Sequence, residues 1–169
     1  MSLPSQASAA EGATPAVGSA EQALLLCGVG SLICALPLPY VGETMRPLPR
    51  EPVLGMPAFV DGLAVIRGAP VPVVDLARLL GVDSHAARTR FVVVKVSERR
   101  VALSVERVIG VRALDALVTR GLPPLLSRAG VEFVASVASL DAHLLVVLES
   151  GLILPESVWT TLDRGVGAA

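Results

Sequence analysis

The chain has 169 residues, of which 53% are hydrophobic, 17% charged and 3% aromatic, and its formal net charge is −1. This apolar content is enough for one folded domain, or two very small ones in close contact, and excludes an intrinsically disordered protein. The arginines are scattered and Lys95 is the only lysine, so the charge pattern excludes a broad basic surface for nucleic acid.

Residues 1–20 are rich in Ala, Ser, Gly and Pro and contain a single charged side chain, Glu11. Such a segment cannot bury a core, so we predict a flexible tail. The folded domain is predicted to span residues 21–163, and residues 164–169 are predicted to form a second flexible tail.

Residues 22–42 carry no charge, and an apolar run of this length could span a bilayer. Gly28, Gly30, Pro37 and Pro39 interrupt the run, and proline within a helix costs about 3 kcal/mol or more. The run also divides into two strand-length pieces, and residues 1–20 lack the basic start of a secretory signal. We therefore predict a buried hairpin of strands Ala23–Cys27 and Leu32–Leu36, with a turn over Gly28–Ser31, in a cytoplasmic protein that does not insert into membranes.

The next predicted elements are an irregular connection, two strands and a short helix, over Tyr40–Pro57, Ala58–Ile66, Val71–Val74 and Leu76–Leu80. Four prolines make the connection irregular, whereas the Val- and Ile-rich runs favour the half-buried surface of a sheet. Asp75 precedes the helix and can cap its first turn, and Gly81 follows it as a stop signal.

In the second half of the chain, strands are predicted over Phe91–Val96, Val101–Val105, Ile109–Leu114, Val131–Leu140 and Leu144–Leu148. Asp115–Arg128 contains Gly121 and two adjacent prolines, so only short helical turns fit there. A final short helix is predicted over Pro155–Asp163, with Trp159 folding back onto the body of the domain.

An internal repeat relates the two halves of the chain. Leu24–Val41 aligns with Phe91–Val108 without a gap, at an offset of 67 residues. Phe59–Asp75 aligns with Phe133–Glu149, at an offset of 74. Both halves therefore contain the same two hairpins in the same order, which indicates a duplicated β unit of about 70 residues.

Each unit of this repeat is small for independent folding, so we predict two units that pack on a shared core. The lobes would span roughly residues 21–85 and 88–163, and the sequence leaves open whether strands are exchanged between them. In the alignment Arg67 falls opposite Asp141, so the same hairpin corner is basic in one lobe and acidic in the other. The groove between the lobes, or an exposed edge strand, would offer a surface for a protein partner.

Residues that often carry chemistry are few and isolated. Cys27 and Cys34 are too few for a disulfide framework and lie in no His–Cys cluster, so both are predicted to be buried as small apolar side chains. His85 and His143 have no acidic, Ser or Cys partner at a recognisable spacing. The chain also lacks a nucleophile elbow, a phosphate-binding glycine loop and a paired-carboxylate motif. We therefore predict a binding protein that is not an enzyme and that uses no cofactor or metal.

The stretch from Gly62 to Leu76, GLAVIRGAPVPVVDL, places a single fixed charge, Arg67, at the turn of an otherwise apolar hairpin. A lone arginine at a turn is often only a solvated surface residue. The run of Arg-Gly followed by Pro-x-x-Asp-Leu nevertheless resembles the hallmark of the CheW-like family, which comprises the coupling proteins of bacterial chemotaxis and the matching regulatory domain of the chemotaxis histidine kinase. Supporting stretches occur in the right order, namely ICALPLPYVGE, MPAFVDG, RVALSVERVIGV and EFVASVASLDAHLLVVLE, and the resemblance covers about Gln22 to Leu162.

The resemblance implies a mainly β fold of two pseudo-symmetric five-stranded, SH3-like barrels with short helices. It also implies a non-catalytic adaptor that docks on the regulatory domain of a histidine kinase and holds the cytoplasmic tip of a chemoreceptor-type protein. By their match to the family's positions, Arg67 and Val41 would bind the receptor. Glu43, Gly62 and Gly68 would bind the kinase or another partner.

Val65 stands where the family commonly has Asn, two residues before the arginine, so a polar side chain that could order the turn is missing. One alternative is therefore a degenerate CheW-like module with a structural role in another signalling array. A second alternative is a β-barrel enzyme or small-ligand carrier, whose pocket would have to draw its polar groups from Arg67, Asp75, Glu43 and Asp141.

Overall fold

The computed structural model describes residues 22–113 and 132–167, which form ten strands and two α-helices. The strands are β1 Ala23–Val29, β2 Leu32–Pro37, β3 Val41–Met45, β4 Val60–Ile66, β5 Ala69–Asp75, β6 Arg90–Val96, β7 Arg99–Val105, β8 Arg107–Ala113, β9 Val134–Leu140 and β10 His143–Leu148. The helices are α1 Leu76–Leu80 and α2 Glu156–Gly167, and short 3-10 helices lie at Leu38–Tyr40 and Ser150–Leu152. The predicted tail over residues 1–20 and the predicted helical turns over Asp115–Arg128 lie outside the described residues.

The strands form two five-stranded sheets. Sheet A has the order β8-β1-β2-β10-β9, and sheet B has the order β3-β6-β7-β5-β4. Each sheet combines strands from both halves of the chain, because the β1–β2 hairpin is flanked by β8 and β10 and not by β3, β4 or β5. The predicted mainly β fold with two five-stranded units is confirmed, and the strand exchange that the sequence leaves open takes place. The sheets consequently do not follow the contiguous ranges 21–85 and 88–163.

The duplication extends to the pairing of individual residues. In sheet B, Val73 of β5 lies opposite Ala102 of β7, and in sheet A, Val147 of β10 lies opposite Ala35 of β2. These two parallel pairs are equivalent under the offsets of 74 and 67 residues that relate the halves of the sequence. The repeat therefore identifies positions that make the same long-range contact in both sheets.

The geometry of the turns repeats as well. The β1–β2 turn has Gly30 at a φ of 56°, and the equivalent β6–β7 turn has Ser97 at a φ of 54°. The corners between β4 and β5 and between β9 and β10 have Arg67 at 50° and Asp141 at 47°. Left-handed backbone is uncommon for residues other than glycine. Its recurrence at matched positions supports the alignment more strongly than the apolar matches do.

The strands of the hairpin at residues 22–42 are apolar on both faces because both faces are buried. Leu24 and Leu26 pack into a cluster within sheet A, whereas Leu25 and Cys27 pack into a larger cluster shared by both sheets and α2. Strands that are covered on both faces show continuous apolar runs instead of alternation. The prediction of a buried hairpin is confirmed, and no helix in the described part of the chain is long and apolar enough to cross a membrane.

The prediction of an irregular connection over Tyr40–Pro57 is wrong at its start, where Val41–Met45 forms β3. This strand lies at the edge of sheet B and pairs with β6. Its residues, VGETM, are alternately half-buried and exposed, so no apolar run marks it. The first turn is also shorter than predicted, because β1 continues through Val29 and only Gly30–Ser31 turns.

Helix α1 has the predicted bounds and caps. The carboxylate of Asp75 accepts a hydrogen bond of 3.2 Å from the backbone N–H of Arg78, which satisfies one of the free donors of the first turn. Gly81 ends the helix in the left-handed conformation, at a φ of 67°.

Helix α2 continues to Gly167 and so extends four residues beyond the predicted end. Val158 and Leu162 are buried in the shared cluster and hold one face of the helix against the sheets. Arg164 in the last turn complements the negative end of the helix dipole. Trp159 packs against the same cluster, as predicted.

The two cysteines lie directly opposite each other on β1 and β2 and are fully buried as free thiols. Burial raises the pKa of the Cys27 thiol to about 12, so the reactive thiolate is strongly disfavoured. The prediction that Cys27 and Cys34 are buried apolar side chains is confirmed. Within residues 22–113 and 132–167, no group of three or more His, Cys, Asp or Glu side chains could hold a metal ion.

A buried ionic network links the two sheets at Glu106, the single residue between β7 of sheet B and β8 of sheet A. Arg88 lies between two carboxylates, with its Nε 3.3 Å from Oδ2 of Asp75 and its Nη1 3.5 Å from Oε1 of Glu106. Glu106 also accepts hydrogen bonds from the backbone N–H of Gly30 in sheet A, at 2.9 Å, and from the hydroxyl of Ser84.

Acid is expected to weaken this network. Burial alone would raise the pKa of Glu106, but the hydrogen bonds from Ser84 and Gly30 and the charges of Arg88 and Arg107 bring that pKa below its usual value. The contribution of Glu106 to stability is therefore fully present above its unfolded pKa of about 4.3, and is lost as the pH falls through the lower folded value. Melting temperatures measured from neutral pH into acid should fall more steeply for the wild type than for Glu106→Gln, and parallel curves would contradict the prediction.

Candidate functional site

The corner between β4 and β5 consists of two residues in the left-handed conformation. Arg67 has a φ of 50° and Gly68 a φ of 78°. A two-residue turn with two positive φ angles matches the right-handed twist of the flanking strands. A side chain added to Gly68 would meet no atom within 4 Å, so this glycine is explained by backbone conformation alone. The turn presents Arg67 at the tip of the hairpin, where its side chain is 72% exposed.

Arg67 binds Glu43 of β3 through two parallel hydrogen bonds. Its Nε donates to Oε1 at 2.8 Å and its Nη2 donates to Oε2 at 2.9 Å. Glu43 lies on β3 and Arg67 follows β4, the two edge strands of sheet B, so the ion pair spans the two edges of a sheet that is curled into a barrel. The hydrogen bond from Arg67 lowers the pKa of Glu43, and the charge of Arg100 lowers it further. The bidentate geometry fixes the orientation of both side chains.

Five further residues line a groove with Arg67 and Glu43 at this end of sheet B. They are Gly42, Val93, Lys95, Glu98 and Arg100, and the groove has a volume of about 420 Å³. We call this groove the sheet B mouth. The sequence predictions do not include Lys95, Glu98 or Arg100, and the signal that could have found them is the pair of cations flanking the β6–β7 turn.

The other predicted site residues lie at or outside the sheet B mouth. Val41 is only partly exposed, pairs with Val94 and packs against the shared cluster. Gly62 lies in a bulge of β4, at a φ of 137°, and a Cβ there would come 2.2 Å from the backbone oxygen of Glu51. The space beside Gly62 is therefore filled by the chain itself, through two backbone hydrogen bonds of 2.8 Å between Glu51 and Leu63.

A family model of the CheW-like domain matches residues 23–157, which is most of the chain. The chain belongs to the CheW-like family. Among curated relatives, the chemotaxis protein CheW of Rhizobium meliloti (strain 1021) is 26% identical over 109 residues, which cover 63% of this chain and 70% of the relative. The probable chemotaxis protein CheW of Rhizobium etli (strain ATCC 51251 / DSM 11541 / JCM 21823 / NBRC 15573 / CFN 42) is 25% identical over 103 residues, which cover 60% and 66%.

The fold of this CheW-like domain is also that of a solved structure. The crystal structure of the scaffolding protein TtCheW from Thermoanaerobacter tengcongensis superposes with a TM-score of 0.65, at 19% sequence identity. The match covers 76% of this chain and 89% of that structure. The predicted resemblance to the CheW-like family and its two-lobed β fold is thus confirmed.

The Arg67–Glu43 pair and the two opposed cations occur in only one lobe of this CheW-like domain, although in sheet A the guanidinium of Arg107 lies beside Gly28. Under the repeat, the sheet A equivalents of Glu43, Arg67, Lys95 and Arg100 are Gly110, Asp141, Gly28 and Ile33. Sheet A nevertheless forms the same corner, with two left-handed residues, and the same irregular pairing between its edge strand and the next strand. The fold of the corner therefore does not need the ion pair or the two cations.

A second hollow of about 620 Å³ lies between α2, the β6–β7 turn and the segment before α2. Its lining is mainly apolar and includes Phe59, Phe133 and Trp159. Arg99 beside it pairs with Glu156 at 2.8 and 2.9 Å and lies over the Trp159 ring, 4.8 Å from its centroid. The polar residues on which the small-ligand alternative depends, Arg67, Asp75, Glu43 and Asp141, do not line this hollow.

Proposed function

We propose that this CheW-like chain is a non-catalytic adaptor that couples a chemoreceptor-type sensor to a chemotaxis-type histidine kinase. The observation that carries the proposal is the match of the CheW-like domain over residues 23–157, within which Arg67 and Glu43 form an exposed bidentate pair. The curated relatives are named chemotaxis proteins, and the solved structure is that of a protein called a scaffolding protein. The partners we propose are the regulatory domain of the kinase and the cytoplasmic tip of the receptor.

The sheet B mouth is the surface we propose for partner binding. Its ion pair is dispensable for the fold, since sheet A forms the equivalent corner without it. Because Arg67 and Glu43 bind each other, both belong to one surface instead of separate receptor and kinase surfaces. Val41 contributes as partly buried support next to Glu43 on β3, and Gly68 lets the backbone of a partner approach the tip. Gly62 is assigned to the structure of the bulge.

Val65 favours a second candidate within the same family. It stands two residues before Arg67 and is 68% exposed, so the tip of the hairpin is more apolar than an Asn there would make it. A module that joins CheW-like partners in another signalling array would use such a surface. Binding to a kinase regulatory domain without binding to any chemoreceptor tip would favour this candidate.

Removal of the ion pair should weaken binding without unfolding the domain. Arg67→Ala is expected to leave the melting temperature within about 2 °C of wild type, because an exposed pair contributes little to stability. Binding to the receptor tip or to the kinase regulatory domain, measured by calorimetry, should fall about tenfold or more. Arg112→Ala is the control, since Arg112 is exposed on the edge of sheet A and, among the described residues, its side chain bonds the neighbouring Val111 carbonyl.

The charge-swapped variant Arg67→Glu with Glu43→Arg separates the two roles of the pair. The swap restores an ion pair across the mouth but reverses the polarity that a partner meets. If the swap restores binding, the pair acts only on the shape of the corner. If wild-type protein binds neither partner at micromolar concentrations, or if Arg67→Ala unfolds, the proposed role of the mouth fails.

A further inference from the structure

We propose that Lys95 and Arg100 form a binding site for an acidic side chain, Asp or Glu, of the partner protein. The proposal rests on the adaptor function proposed above and adds the chemistry of the group that the sheet B mouth receives. Three features of the mouth support it. The two cations lie opposite each other in the strand pairing, the neighbouring carboxylates form no ion pair with them, and the equivalent positions of sheet A do not contain such a pair.

The two cations lie directly opposite each other in the pairing of β6 and β7. Side chains at such positions have their Cβ atoms about 4.5–5.5 Å apart, and like charges there destabilise the sheet. Lys95 is exposed and Arg100 half-buried. The unbound protein therefore keeps an unfavourable pair at a position where many neutral residues would fit.

Among the described residues, neither carboxylate of the mouth forms an ion pair with these two cations, although Arg100 lies near enough to Glu43 for its charge to lower the pKa of Glu43. The ion pairs formed by residues 22–113 and 132–167 do not include Lys95 or Arg100. Both oxygens of Glu43 are already bound by Arg67. Glu98 lines the groove but takes part in none of those ion pairs. Arg100 therefore shares the field of Glu43 but not its hydrogen bonds, and the donor groups of Lys95 and Arg100 can still bind an external carboxylate.

The floor of the mouth strengthens the field of these cations. Alternation along the strands puts Lys95 and Arg100 on the same face as Val93 and Ala102, which belong to the apolar cluster inside sheet B. Charges above a low-dielectric floor interact more strongly with a ligand than charges surrounded by water do. A carboxylate that enters the groove would also displace little protein, because the groove already has a volume of about 420 Å³.

Sheet A shows that the fold does not require these cations. The residues equivalent to Lys95 and Arg100 are Gly28 and Ile33, which occupy the same directly opposed positions on β1 and β2. Ile33 is buried in the sheet A cluster, and the side chain of Arg107 occupies the space beside Gly28, so sheet A has no pair of opposed cations at these positions. An arrangement that costs stability in one lobe and is absent from its structural equivalent is expected to serve binding.

A carboxylate side chain of a protein fits the mouth better than a nucleic acid does. The formal net charge of the chain is −1, and its arginines are scattered along the sequence instead of forming a stripe that could follow a phosphate backbone. Two adjacent cations next to a bidentate Arg–Glu pair instead form a compact positive site suited to one acidic group.

The experiment compares the wild-type chain, Lys95→Glu with Arg100→Glu, and Arg90→Glu, each titrated calorimetrically with the receptor tip fragment and the kinase regulatory domain. Arg90 is the matched control because it lies at the opposite end of β6 and, within the described part of the chain, its side chain bonds the adjacent Thr89 carbonyl. The double variant is expected to bind at least one partner about tenfold more weakly at low salt. Between about 50 and 300 mM NaCl its affinity should depend less on salt than that of the wild type.

The single variant Lys95→Glu tests whether misfolding, instead of the loss of the site, explains weaker binding by the double variant. It places a carboxylate opposite Arg100, so its melting temperature should equal or exceed that of the wild type while its binding falls. If the wild type binds a partner and the double variant binds it equally well, or loses no more affinity than Arg90→Glu does, the proposal of an acidic-group site is wrong. The proposed adaptor function is not affected by that result. If the wild type binds neither partner, the adaptor function itself fails and the site falls with it.

Discussion

Gly62→Ala is expected to destabilise the domain by about 3 kcal/mol or more. The residue has a φ of 137°, a backbone conformation that is almost confined to glycine and costs about 1–3 kcal/mol for other residues. The added Cβ would also lie 2.2 Å from the backbone oxygen of Glu51 and 2.7 Å from its carbonyl carbon. These atoms belong to a backbone that is hydrogen-bonded to Leu63 on both its N–H and C=O, so they cannot move without breaking that bridge.

Gly68→Ala is the matched control for this prediction. Gly68 lies six residues further along the same hairpin and also has a positive φ, 78°, but a Cβ added there would have no atom within 4 Å. Only the conformational cost applies there, about 1 kcal/mol. Urea unfolding of both variants measures the difference. Equal losses of unfolding free energy in the two variants would show that the contact with Glu51 is unimportant. The assignment of Gly62 to the structure of the bulge would then fail, and partner binding would again be the predicted role of Gly62.

The pairing of the hairpins into sheets could not be predicted from the sequence. Each hairpin is local, and its apolar runs and its turn residues mark it. The parallel pairs that assemble the sheets join residues far apart in the chain, such as Ala35 with Val147. Runs of Val, Leu and Ala present similar surfaces to every neighbouring strand, so composition does not select the partner. The repeat predicts that two equivalent units exist but does not say which hairpins combine.

The edge strand β3 is marked by the repeat although its own residues do not predict a strand. The offset of 67 residues carries the predicted strand Ile109–Leu114 back onto residues 42–47, which overlap Val41–Met45. An edge strand needs only partial burial, so β3 can contain polar residues and lacks the apolar run by which the other strands are predicted. The same strand supplies Glu43, so its omission also conceals the partner of Arg67, which lies 24 residues away and across the opening of the curled sheet. The resemblance to the family marks Arg67 and Glu43 as two separate site residues. Their ion pair becomes visible only in the structure, where the curling of sheet B brings its two edges together.

Arg88→Met is expected to cost about 3 kcal/mol of stability. Asp75, Arg88 and Glu106 have side chains that are 7%, 16% and 9% exposed, and Arg88 is the cation between the two carboxylates. Removing Arg88 leaves Asp75 and Glu106 without their shared ion-pair partner, and Glu106 keeps only the charge of Arg107. Breaking a buried ion pair in this way costs more than the net worth of the pairing. Arg90→Met, two residues away on an exposed side chain, is the control and should change stability by less than about 0.5 kcal/mol.

Neutralising the two carboxylates tests whether the loss of stability in Arg88→Met comes from their unpaired charges. Adding Asp75→Asn and Glu106→Gln to Arg88→Met should recover part of the lost stability, because neutral amides can stay hydrogen-bonded where unpaired carboxylates cannot stay charged without penalty. Asn at position 75 retains the ability to cap α1, so the helix start is not a confounding loss. Urea unfolding at neutral pH measures all three proteins. Two results would contradict the prediction: a loss of stability for Arg88→Met no larger than that for Arg90→Met, or a further loss when the two amides are added. Either result would show that the ion pairs do not stabilise the junction between the sheets. The hydrogen bonds from Gly30 and Ser84 to Glu106 would then be the interactions that stabilise it.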